Sequence, residues 1–170
     1  HWEIIQVESG DRIRLVPERG GLITEWFCNG REILYFDLER FHDKEKSIRG
    51  GIPILFPICG ALPSDCLKLE EKEFHMPQHG FARDCSWKIN QIKDNSAFIL
   101  SLSDNKKTRA LYPYTFLLEL EVELARNRID FKVCIHNQSQ KKMPFSFGLH
   151  PYFKVKALEH TKIYGLESTS

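Results

Sequence analysis

The sequence predicts an all-β protein built from antiparallel hairpins, and three observations carry that prediction. Apolar and polar residues alternate with period two along much of the chain, which places successive side chains on opposite faces of a strand. Compact turn signals, Asn29-Gly30 above all, separate the alternating runs. No segment of helical length sustains a stripe at the 3.6-residue period, so helix is expected to be scarce.

Taken in order, residues 2–8 and 12–16 pair as a first hairpin around Ser9-Gly10-Asp11, and residues 22–28 and 31–36 as a second around Asn29-Gly30. Residues 87–92 and 97–102 form a third, turning at Asp94-Asn95. The strongest alternation runs over residues 115–124, where Phe116, Leu118, Leu120, Val122 and Leu124 share one face and Glu119, Glu121 and Glu123 the other. Arg126-Asn127 then turns the chain into residues 128–136, with Ile129, Phe131, Val133 and Ile135 expected to face inward. Between residues 41 and 78 the chain is rich in glycine, proline and charge, the composition of a long loop with short strands, where functional side chains are often held.

A length of 170 residues with 42% hydrophobic content suits a single domain with a sizeable core, residues 1–170, and no linker divides it. Lys plus Arg number 24 against 23 Asp plus Glu, a formal net charge of +1, so no broad electrostatic field points to nucleic acid. The apolar runs are too short for a membrane span, and His1-Trp2-Glu3 does not open a secretory signal; a chain beginning at histidine leaves an earlier segment open. Five cysteines without a Cys-x-x-Cys pair fit a reducing cytoplasm better than a disulfide framework.

Three segments combine a fixed backbone with reactive or hydrogen-bonding side chains. In Arg49-Gly50-Gly51-Ile52-Pro53, paired glycines sit beside a cation that can hold an anion; the spacing is that of neither phosphate-binding glycine loop. In Gln78-His79-Gly80-Phe81-Ala82-Arg83, an amide, an imidazole and a guanidinium fall within six residues, donors and acceptors suited to sugar hydroxyls or a phosphate. In Phe145-Ser146-Phe147-Gly148-Leu149-His150-Pro151-Tyr152-Phe153, an aromatic-rich strand ends at Gly148, and proline restrains a histidine able to deliver a proton near neutrality. Each has a plainer reading: a solvated arginine at a sharp turn, a loop histidine capping backbone, and a core histidine among aromatics. His75 and His79 have zinc-pair spacing, but Pro77 breaks the helix on which that spacing works, and no metal is expected. The Gly-x-Ser-x-Gly elbow of serine hydrolases does not occur.

Taken together and in this order, the three segments resemble the aldose 1-epimerase family, in particular its branch similar to glucose-6-phosphate 1-epimerases. The similarity extends to the opening Val16-Pro17-Glu18-Arg19-Gly20-Gly21, a structural strand and turn in that family. The resemblance implies a large antiparallel β-sandwich of the galactose mutarotase-like kind, a sugar or sugar phosphate as small-molecule partner, no cofactor, and interconversion of α and β anomers by ring opening and reclosure. It implies that His150 is the general acid, that His79 lies beside the ring oxygen or a neighbouring hydroxyl, that Gln78 contacts the sugar, and that Arg49 and Arg83 clamp a 6-phosphate.

The same resemblance places the catalytic base on a glutamate after Ser170, and a further sugar-binding aspartate there too. The chain is therefore expected to hold only the N-terminal part of the sandwich. Two rivals follow: a neutral-hexose mutarotase, and a carbohydrate-binding protein that keeps the cleft without the acid and base pair.

Overall fold

The computed structural model of the protein describes residues 3–43, 46–93 and 96–164. Two four-stranded antiparallel sheets face a common core. The first runs in the order β1 (Glu3–Gln6), β2 (Arg12–Val16), β3 (Leu22–Cys28) and β4 (Arg31–Glu32). The second pairs, in spatial order, β11 (Arg128–Asn137), β10 (Phe116–Ala125), β9 (Ala97–Ser103) and β8 (Lys88–Lys93). Between the sheets in sequence lie the two-residue β5 (Ile54–Leu55), which pairs with β12 (Gly148–Leu149), and a hairpin of β6 (Cys66–Leu69) with β7 (Lys72–His75). Two short α-helices, α1 (Leu38–His42) and α2 (Lys106–Leu111), and three single turns of 3-10 helix, Pro63–Asp65, Ala82–Asp84 and Leu158–His160, complete the regular structure of the described residues. No helix among them is long and apolar enough to cross a membrane.

Side-chain alternation decides which face each strand buries. Along β10 burial alternates residue by residue, and Phe116, Leu118, Leu120, Val122 and Leu124 are each at most 1% exposed. Each such side chain contributes about 1.5–3 kcal/mol. They meet Phe98, Leu100 and Leu102 of β9 and, across the sandwich, Ile13 and Leu15 of β2 and Ile23 of β3. On β11, Ile129, Phe131 and Ile135 pack against this core; Val133, paired opposite buried Leu120, faces the same way as the alternation predicts but is left 36% exposed. Among the described residues β11 is an edge strand, paired on one side only, so its inner face lacks a neighbour that would cover Val133.

The predicted hairpins form, with three differences. The second strand of the Asn29-Gly30 hairpin stops at Glu32 rather than residue 36, although the turn takes the expected left-handed geometry, with φ 48° and 75°. Beyond Ile33 the chain exchanges partners: the Tyr35 N–H donates to the Tyr152 carbonyl at 2.8 Å, and the Gly51 N–H donates to that of Tyr35 at 2.8 Å. The strand expected to end at Gly148 instead begins there, because its partner β5 extends only over Ile54 and Leu55. Helix α2 carries no amphipathic stripe long enough to read; a reciprocal capping box between Asn105 and Thr108 starts it. Trp2 and the Asp94-Asn95 turn lie outside the described residues.

Asp11, 2% exposed, ties three turns together at one end of the sandwich. Its carboxylate accepts the Asn29 N–H at 3.1 Å and the Asn127 N–H, so the turns of the β3–β4 and β10–β11 hairpins depend on it. The Asn127 bond, then the Asn29 bond, holds its carboxyl below the ordinary 3.8. The folded state therefore gains stability from Asp11 above about pH 4 and loses it as pH falls through the lowered value. Replacing Asp11 by alanine strands two backbone donors, each bond to a charged acceptor being worth about 1.5–3 kcal/mol. Chemical denaturation at pH 7 should show Asp11→Ala destabilised by about 3 kcal/mol, with the deficit shrinking below about pH 4; a pH-independent deficit contradicts the assignment.

Candidate active site

Residues 49–57 form a spine against which both later motif segments are laid by backbone hydrogen bonds. At its start, the Asp37 N–H donates to the Arg49 carbonyl at 3.0 Å, and the Ile52 N–H donates to the Ile23 carbonyl at 2.8 Å, anchoring the spine to α1 and β3. At its end, the Phe56 carbonyl accepts from both Phe81 and Ala82, at 3.0 and 3.1 Å. Gly80 makes that approach possible: at φ 73° it lies so close that an added Cβ would stand 2.2 Å from the Phe56 carbonyl oxygen. The final motif docks along the other side, with His150 N–H on the Pro53 carbonyl at 3.0 Å and Tyr152 N–H on the Gly51 carbonyl at 2.9 Å.

The result is a cleft of about 300 Å³ lined by all five residues singled out from the sequence, Arg49, Gln78, His79, Arg83 and His150. The His79 and His150 rings lie 6.0 Å apart, centroid to centroid, and Tyr152 stands 4.9 Å from His150. Of the aromatic residues in the last motif, Tyr152 reaches the cleft; the Phe145 ring instead lies 6.1 Å from that of buried Phe56, and Phe153 bridges to Leu34.

His79 is held on both sides by Gly60. Its backbone N–H donates to the Gly60 carbonyl at 2.6 Å, while its Nδ1 accepts the Gly60 N–H at 2.9 Å. An acceptor Nδ1 carries no proton, so the hydrogen-bond network assigns the neutral ring's proton to Nε2. Burial, then the positive charges of Arg83 and His150, lower its pKa below the ordinary 6.5. Near neutrality His79 is thus a hydrogen-bond donor through Nε2 rather than a charged acid.

The arginines differ in their freedom. Arg83 donates through Nη2 to the Gln78 carbonyl at 2.9 Å and lies 3.7 Å from the Asp84 carboxylate. Arg49, exposed at the mouth, keeps its guanidinium without an ionic or hydrogen-bonded partner among the described residues. A third arginine, Arg19, also lines the cleft, although the sequence marks it only as part of a turn. The repeated Arg-Gly-Gly tripeptide, at Arg19 and at Arg49, is the one sequence signal that joins the two.

A family model described as aldose 1-epimerase matches residues 4–170. A protein of Cenchrus ciliaris provisionally named glucose-6-phosphate 1-epimerase is 30% identical over 161 residues, covering 88% of this chain and 46% of the relative. The crystal structure of the Slr1438 protein from Synechocystis sp. PCC 6803 superposes with a TM-score of 0.86 at 43% identity, covering 90% of this chain and 54% of that one. A galactose mutarotase-like protein from Lactobacillus casei does so at 0.78 and 27%, covering 91% and 50%. The chain thus spans about half the length of the relatives it matches.

A His79 pKa lowered in the folded state adds stability above about pH 6.5 that is lost as pH falls through the folded value. Imidazole NMR should find His79 titrating below 6.5 with Nδ1 unprotonated, and Arg83→Met should raise its midpoint. A protonated Nδ1 at neutral pH contradicts the assigned tautomer.

Proposed function

The chain belongs to the aldose 1-epimerase family, and on that premise we propose that its cleft serves the interconversion of hexose anomers, with a hexose 6-phosphate as the preferred substrate. The observation that carries the proposal is the pair of imidazoles, 6.0 Å apart, in one cleft with cationic arginines.

In the proposed reaction the anomeric hydroxyl loses its proton to a base while the C1–O5 bond breaks and O5 takes a proton from His150. Rotation about C1–C2 presents the other face of the aldehyde. On reclosure the O5 proton returns to His150, and the carbonyl oxygen recovers one from the base, so both groups end as they began. His79, neutral and fixed by Gly60, donates from Nε2 to the ring oxygen or an adjacent hydroxyl and stabilises charge developing there. Gln78, exposed on the rim, is placed to bond a sugar hydroxyl. The carboxylate that lines the cleft among the described residues, Asp84, is engaged with Arg83 at 3.7 Å. The base is accordingly assigned to a carboxylate outside the described residues.

Arg49 and Arg83 give the cleft the planar, always charged donors that suit a phosphate. The five free cysteines suit a reducing compartment, in keeping with a cytoplasmic location.

Exchange NMR on α-glucose 6-phosphate tests the general acid: His150→Asn should slow anomer exchange about a hundredfold or more. An unchanged rate removes His150 from that role, while sugar binding without accelerated exchange in the unsubstituted protein identifies a binding protein instead. Phosphate preference has its own check in Arg49→Ala and Arg83→Ala, each of which should weaken the phosphorylated sugar by about 1.5–3 kcal/mol. Equal weakening of free glucose points to a neutral-hexose enzyme.

A further inference from the structure

Arg19 reaches the cleft from the turn between β2 and β3, and its side chain is held in place before any ligand arrives. Nη1 donates to the Phe41 carbonyl, and the guanidinium carbon stands 4.3 Å over the Phe41 ring. Phe41 is itself 6% exposed, packed with Val16 and Leu22 in a small core of its own. The remaining donors of Arg19, Nε and Nη2, have no partner among the described residues, and the residue is half-buried on the cleft wall.

Helix α1 links this cation to Arg49. It supplies the Phe41 carbonyl and ring that hold Arg19, and its capping residue Asp37 donates backbone N–H to the Arg49 carbonyl at 3.0 Å. The acidic side chain lining the cleft, Asp84, is engaged with Arg83, and among the described residues no other carboxylate lines the cleft beside Arg19 and Arg49. A guanidinium fixed by stacking and by one hydrogen bond loses little side-chain freedom on binding, and its open edge matches two oxygens of a phosphate.

We propose that Arg19 is a specificity-determining binding residue which, beside Arg49 and Arg83, meets the negative charge of a phosphomonoester on the sugar. This deepens, and rests on, the hexose-phosphate reading. It assigns substrate choice to a turn on the first sheet, whereas the acid and the neutral donor come from the spine's other neighbours. A neutral hexose brings no charge to Arg19 and so gains less from it than a phosphorylated one does.

Calorimetry on the full chain with glucose 6-phosphate and with glucose tests the assignment. Arg19→Gln, which keeps an amide donor for the Phe41 carbonyl, should weaken glucose 6-phosphate about 10–100-fold and leave glucose within about twofold. Arg19→Lys, which keeps the charge without the planar fork, should fall between the two. If Arg19→Gln does not fold, Arg19→Lys decides by the same comparison. Unchanged affinity for both ligands, or equal loss for both, overturns the proposal and leaves Arg19 a structural anchor for α1. If the unsubstituted protein binds both sugars equally, the phosphate preference itself is wrong and the role of Arg19 falls with it. If that preference exists and survives both substitutions, only the assignment to Arg19 is wrong.

Discussion

The cleft depends on one carbonyl group. Phe56, fully buried, accepts hydrogen bonds from Phe81 and Ala82, and Gly80 lies hard against it. This contact holds the turn that bears Gln78, His79 and Arg83 against the spine, while Pro53 and Gly51 of the same spine receive His150 and Tyr152. Because these bonds are backbone to backbone, the distance between the two imidazoles is set by main-chain geometry rather than by long, flexible side chains. A substitution that pushes Gly80 away would displace one catalytic candidate relative to the other without altering either.

Charge is distributed in the cleft with a comparable division of labour. Three guanidiniums line it, yet the imidazole nearest to Arg83 is kept neutral, and the backbone N–H of Gly60 selects its tautomer. A positive field that attracts an anion also depresses the proton affinity of a neighbouring histidine. Burial first, and the Arg83 charge after it, therefore favour the neutral ring of His79. His150, its ring 6.0 Å from that of His79, is the more exposed of the two.

The sandwich supports this arrangement from behind. Its core joins β9 and β10 of the second sheet to β2 and β3 of the first, so the spine rests on β3 through Ile23 and Ile52. Asp11 clamps the hairpin turns at one end, and α1 bridges two cleft arginines. The half-covered face of β11 contrasts with the closed face of β10 and marks where further packing can be accepted.

Local pattern was enough for the strands and for the candidate residues of the cleft. Alternation over residues 116–124 needs only the two-residue period of a strand to say which side chains are buried, and Asn29-Gly30 needs only local sterics to say where a hairpin turns. The three motifs named the five cleft residues because glycine, proline and histidine in short blocks are local signals too. Tertiary structure decided what depends on partners distant in the chain. The exchange of Tyr35 from β3 to Tyr152 and Gly51, the partly open face around Val133, and the tautomer of His79 arise from long-range hydrogen bonds or from missing neighbours. Arg19 belongs to the same class. Its role is set by Phe41, 22 positions away in sequence, and a pattern confined to one turn carries no trace of the ring that holds it.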